Sequence, residues 1–150
     1  MTVFADSSAL VKLYVAEAEH RLVRAITDPI VISVLAQVEV PAAFWRKHRR
    51  GEIDANDAAV LSAVFAADVE GDGLPAPRYA VVSVSGAVVA EAASAVARHL
   101  LRAYDSVQLA SALVVRQTLG SLEGFAAFDK GLRAAAAAEG ITLVPDVVTA

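Results

Sequence analysis

The chain contains no cysteine, which excludes disulfide staples and thiolate metal sites alike. It also lacks a glycine-rich phosphate cradle. Neither Gly-x-x-x-x-Gly-Lys-Ser/Thr nor Gly-x-Gly-x-x-Gly occurs, and Gly71-Asp72-Gly73 has neither the strand before it nor the helix after it that the dinucleotide motif needs. There is no Gly-x-Ser-x-Gly elbow for a serine hydrolase. The three histidines, His20, His48 and His99, are not at zinc-ligand spacing and read as surface residues. Long apolar runs are missing too: Tyr79 to Ala90 and Ser106 to Val115 fall short of the roughly 18 residues a spanning helix requires. The opening Met1 to Asp6 has no basic segment and meets an acid at once, so it does not read as a signal peptide. A cytoplasmic protein without membrane association is the expectation. Positive charge is in short supply as well: 13 Lys and Arg against 17 Asp and Glu give a net charge of −4. That argues against a general nucleic-acid coat, but not against a nuclease with acids in its site and bases around the rim.

What is present is a chain of 150 residues with 57% hydrophobic and 20% charged residues. This is the size of one domain, residues 1–150, with enough apolar content for a real core. No internal repeat, low-complexity tract or linker interrupts it.

Short apolar runs alternate with helical spacing from end to end. Val3-Phe4-Ala5 reads as a strand feeding a helix with Ala9, Leu10, Leu13 and Tyr14 on its apolar side. A second helix spans 18–26, and Ile30 to Ser33 is a strand apolar enough to be covered on both faces. Leu35, Val38, Ala42 and Trp45 form an apolar stripe on a helix ending at Gly51. Asp54 or Asn56 caps the next helix, running to about Asp68, and 70–77 is the clearest loop. Strands at 80–84, 124–128 and 141–144 and helices at 88–101, from Asp105 onward, and 132–139 complete the pattern. The predicted architecture is α/β: three layers, with helices on both faces of a central, mostly parallel five-stranded sheet.

In an open parallel sheet, ligands bind beyond the carboxyl ends of the strands. Asp6 follows the first strand and Asp129 the fourth; Asp105 opens a helix leading back toward that edge, and Glu39 lies one turn into the helix after the second strand. Helix capping explains Asp6, Asp105 and Asp129 singly. It does not explain four carboxylates meeting at one edge, where mutual repulsion calls for a cation between them. With oxygen donors only, that cation is Mg²⁺, with Mn²⁺ as a substitute. One ion with a positioned water, or two ions about 3.5–4 Å apart, activate water against a phosphodiester. Ser7 and Ser8 are placed to orient Asp6 or its water, or simply to cap the helix. Arg46-Lys47-His48-Arg49-Arg50 is the one dense basic cluster, suited to offset a helix dipole or to touch RNA phosphates.

Four segments resemble the PIN-domain family, toxins of the VapC type. They are Phe4-Ala5-Asp6-Ser7-Ser8-Ala9-Leu10, Val38-Glu39-Val40, Ala103-Tyr104-Asp105-Ser106-Val107-Gln108-Leu109, and Ala127-Phe128-Asp129-Lys130-Gly131-Leu132. The resemblance spans nearly the whole chain and is weakest at 50–85. It implies a PIN-like fold and a Mg²⁺-dependent endoribonuclease acting on tRNA or rRNA. It assigns Asp6, Glu39, Asp105 and Asp129 as catalytic acids, with Asp6 and Asp105 the firmest metal ligands. It further implies a homodimer and a small cognate antitoxin as partner. Two departures stand out: Pro41 lies two residues past Glu39, which predicts a late or kinked helix, and Ala127 stands where the family often has Ser or Thr. Two other readings fit the acids: a binding module whose carboxylates hold only a structural ion, and a metal-dependent DNA nuclease.

Overall fold

A computed structural model describes residues 1–71, 73 and 76–148. Part of the predicted 70–77 loop (72, 74 and 75) lies outside the described residues. Five strands, β1 (Val3–Ala5), β2 (Ile30–Ser33), β3 (Tyr79–Val82), β4 (Gly124–Ala126) and β5 (Leu143–Val144), form one sheet in the order β3-β2-β1-β4-β5. Every pairing is parallel, in line with the α/β expectation. The first strand is central, and residues 3–5 pair with 124–126 across about 120 residues of chain.

The period of two along the strands sorts side chains to two cores. Val3, Ala5, Ile30 and Ile32 face a layer of four helices: α1 (Ser7–Tyr14), α2 (His20–Arg24), α3 (Ala36–Arg49) and α4 (Ala55–Glu70). Phe4, Val31 and Phe125 face α5 (Gly86–His99), α6 (Ala103–Leu119) and α7 (Lys130–Ala138). Phe4 and Phe125 stack at 5.6 Å across the β1–β4 pair. Burying each such ring stabilises by about 1.5–3 kcal/mol, so the strands that carry the site are the best anchored.

Helix boundaries differ from the sequence reading where caps decide them. Asp54, not Asn56, caps α4, accepting from the Asp57 N–H at 2.7 Å. The second helix is shorter than 18–26 because Glu19 takes a positive φ of 64° just before it. Asp105 does not open α6: the helix starts at Ala103, and Asp105 sits in its first turn. The apolar stripe read along α3 is not its core face. Ala36, Val40 and Phe44 are buried instead, while Val38 and Trp45 are 71% and 42% exposed. Two apolar stripes run along this helix, and the fully buried Phe44 ring packs edge-on against Tyr14 of α1 on the core side. Pro41 neither delays nor ends α3, which runs continuously through it from Ala36. The histidines are half-buried rather than free at the surface. His20 and His48 bond the carbonyls of Glu17 and Ile53, and His99 bonds Glu139. No helix among the described residues is long and apolar enough to cross a membrane.

Candidate active site

Asp6 leaves the carboxyl end of β1, where its N–H donates to the Ala126 carbonyl at 3.0 Å and so extends the β1–β4 ladder by one bond. Its side chain then caps α1: Oδ1 accepts from the Ala9 N–H at 3.0 Å and from the Ser8 hydroxyl at 2.7 Å. The Ser8 hydroxyl also accepts from the Phe128 N–H at 3.1 Å. One hydroxyl therefore ties Asp6 to the chain leaving β4. That link supplies a polar contact beside the apolar Ala127, whose side chain is fully buried. Capping and site are thus the same geometry: Oδ1 is held, and among the described residues no hydrogen bond reaches Oδ2.

Asp6 is 5% exposed. Burial, the largest cause, pushes its carboxyl up from 3.8 to about 7. The bonds from Ser8 and Ala9 oppose this, and the charges of Glu39 and Asp105 add to it. Repulsion among the acids is therefore secondary to desolvation, contrary to the weight the sequence reading placed on it.

Glu39 projects from the first turn of α3 into the same space. Its Oε1 accepts from the Gln108 amide at 2.7 Å and from the Ser7 hydroxyl at 3.1 Å, so Pro41 has not deflected it. Gln108 is 2% exposed, and its Nε2 also reaches the Ser7 Oγ at 3.3 Å. Its Oε1 is buried without a partner. The opposite rotamer of the amide would set that oxygen against the Glu39 carboxylate, which fixes the orientation. Sequence reasoning missed Gln108. Its position one turn past Asp105 (i+3) was the available signal, because the two side chains then share a helix face.

Asp105 faces the cleft from α6 and takes a 3.3 Å contact from Arg102, whose side chain is 84% exposed. Asp129 comes three residues after β4, not directly after it, since the strand ends at Ala126. It is exposed, and its Oδ1 caps α7 by accepting from the Leu132 N–H at 2.9 Å.

These four acids line one cleft of ≈ 480 Å³, together with Ser7, Ser8, Gln108, Arg46, Arg102 and Tyr104. The exposed stripe of α3 forms part of its wall through Val38 and Ala42. The acids share the cleft without closing around one point: no group of three or more His, Asp or Glu among the described residues is close enough to hold a metal ion. Glu39, Asp105 and Asp129 each accept from a protein donor instead. By donor type the set still suits a hard divalent cation. It offers carboxylate oxygens only, one of them on a buried side chain whose charged form lacks a counter-ion.

Known structures share this shape. Mycobacterium tuberculosis VapC20, a Sarcin-Ricin loop cleaving toxin, superposes with a TM-score of 0.61 at 19% identity, covering 98% of this chain and 99% of that one. The chain has a PIN-like fold. A toxin–antitoxin complex from Klebsiella pneumoniae gives 0.58 at 17% identity, over 98% and 96% of the two chains. FitAcB from Neisseria gonorrhoeae gives 0.60 at 15%, over 94% and 95%. No protein-family model matches the sequence, and no curated protein matches it either. At such identities the likeness is one of fold, and the PIN-like expectation from the four segments agrees with it.

Proposed function

We propose that this protein is a Mg²⁺-dependent endoribonuclease, the toxin of a toxin–antitoxin pair, acting in the cytoplasm as a homodimer on tRNA or rRNA. The observation that carries the reading is the single cleft at the carboxyl edge of the sheet, lined by Asp6, Glu39, Asp105 and Asp129. The toxin–antitoxin complex from Klebsiella pneumoniae, which shares this fold, supports the partner, and the Sarcin-Ricin loop cleaved by VapC20 supports the substrate class.

Asp6 and Asp105 are the residues that would hold the cation. It would supply charge neutralisation at the phosphate and acidify the attacking water. The protein's own part is orientation. Ser8 and the Ala9 N–H fix Asp6 Oδ1 and leave Oδ2 toward the cleft. Ser7 and Gln108 hold Glu39 by one oxygen, leaving the other to receive a proton from water during in-line attack. Arg102, on the rim, is long enough and exposed enough to exchange Asp105 for a phosphate.

The deciding experiment compares the wild type with Asp6→Asn and Asp105→Asn on structured RNA and on DNA of matched sequence. Cleavage of RNA alone, abolished by chelator and by either substitution, is the expected result. Cleavage that persists in excess chelator or in Asp6→Asn refutes the reading. Equal cleavage of DNA favours the DNA nuclease, since an RNA enzyme can depend on the 2′-hydroxyl. The structural-ion module also has an observation in its favour: all four acids already accept from protein donors. Tight Mg²⁺ binding with no hydrolysis across an RNA panel would select it.

A further inference from the structure

The basic cluster at the end of α3 is only partly spent on the protein itself. Lys47 holds Glu17 at 2.6 Å and Glu52 at 3.3 Å. Lys12 holds the same Glu17 at 3.0 Å, donates to the Ala18 carbonyl at 2.8 Å and lies 4.5 Å above the Phe128 ring. Arg46, Arg49 and Arg50, by contrast, make no side-chain hydrogen bond or ion pair among the described residues. An offset to the helix dipole would use all three alike. The groove beside them does not. Arg46 and Arg50, four residues apart and so on one side of α3, line a groove of ≈ 200 Å³ between α1 and α3, and Arg49 lies off it.

This groove shares Ser8, Val11, Ala43 and Arg46 with the carboxylate cleft, so the two form one trough with Arg46 at the junction. A chain of net charge −4 with four acids in its cleft repels a polyanion over a Debye length of about 8–10 Å. A strand can be held there only where local cations outweigh the acids. Arginine forks not themselves paired to a carboxylate suit phosphate oxygens, and the groove's own carboxylate, Glu17, is held by Lys12 and Lys47.

We infer that Arg46 and Arg50 form a phosphate track, binding the backbone of the RNA beside the phosphodiester that is cut. The inference rests on the nuclease reading for the identity of the strand, but its test does not need cleavage. The probe is a short 2′-O-methyl oligouridylate, which resists hydrolysis, bound to the full chain in chelator and followed by fluorescence anisotropy between about 50 and 200 mM salt. For single strands each phosphate contact contributes about 0.7 to the log–log salt slope. The slope of the Arg46→Ala/Arg50→Ala double variant is therefore expected to fall by about 1.4 with weaker binding, while Arg49→Ala keeps the wild-type slope. An equal loss in Arg49→Ala, an unchanged slope in the double variant, or no binding by the wild type overturns the track. So does equal competition by a glutamate peptide of the same charge, which would make the groove a protein-docking site. If the slopes behave as expected and the wild type cuts no RNA, the nuclease reading fails and the track stands. If RNA is cut and the slopes do not move, the reverse holds.

Discussion

Replacing Asp6 by asparagine separates what the fold needs from what the chemistry needs. Asparagine keeps an Oδ1 to accept from the Ala9 N–H and the Ser8 hydroxyl, but removes a charge that burial disfavours. The carboxyl moves from 3.8 to about 7 on folding. Between those values the unfolded chain has released a proton that the folded chain retains, so stability falls as pH rises through this window and levels off above it. The difference is worth roughly 4 kcal/mol, a ceiling because Asp6 lines the cleft rather than the closed core. The Asn variant lacks this loss. It is expected to match the wild type near pH 4 and to exceed it by about 2–4 kcal/mol at pH 8. Urea denaturation at both pH values, with Mg²⁺ chelated, reads the gap directly. A variant less stable than the wild type at pH 8, or a gap that does not change with pH, would refute the account of Asp6 as a strained buried acid. Adding Mg²⁺ at pH 8 should raise the wild-type midpoint and leave the variant nearly unmoved, since the cation favours the charged carboxylate.

Three other substitutions probe the frame around the cleft. Gln108→Glu sets a second carboxylate against Glu39 in place of a 2.7 Å hydrogen bond; a loss of about 2 kcal/mol is expected at pH 8 in chelator, and an unchanged denaturation midpoint would show that the bond does not hold Glu39. Tyr14→Phe removes the hydroxyl that donates to Asp68 at 2.6 Å and meets Tyr79 at 2.7 Å, with an expected cost of about 1–2 kcal/mol read by thermal melting. Gly124→Ala puts a Cβ 2.5 Å from Val144 Cγ2. It should cost about 1–3 kcal/mol, with part recovered by adding Val144→Ala; no recovery in the double variant would mean that the strain lies elsewhere.

Much of the layer order could be read from the chain because parallel strands covered on both faces are short apolar runs, as at Ile30 to Ser33. The acids could be placed at one edge because Asp6 follows β1 directly, Asp129 lies three residues past β4, and Glu39 and Asp105 lie in the first turns of α3 and α6. What periodicity could not choose was which of two apolar stripes α3 buries. Leu35-Val38-Ala42-Trp45 and Ala36-Val40-Phe44 both step by three or four residues, as a helix face does, and only packing against α1 selects the second. Gln108 had only its spacing from Asp105 to mark it, for a related reason. A lone glutamine on an apolar helix face acquires meaning only when Ser7 and Glu39, 101 and 69 residues away, arrive beside it. The buried Arg133, which ties the Ala127 carbonyl to those of Pro145 and Asp146, is of the same kind.

The position of β1 in the sheet has a consequence for the order of synthesis. Its residues are made about 120 positions before those of its second neighbour, β4, which begins only at Gly124. Until then the edge of β1 that will meet β4 is open, the Asp6 N–H lacks the Ala126 carbonyl, and Ser8 lacks the Phe128 N–H. A ribosome-bound chain that has not reached Ala126 therefore has no assembled cleft, since pairing across so long a separation forms late and slowly. If this protein does cut RNA, the arrangement delays that capacity until β4 has been made, and nascent copies still lacking it are harmless to the machinery producing them.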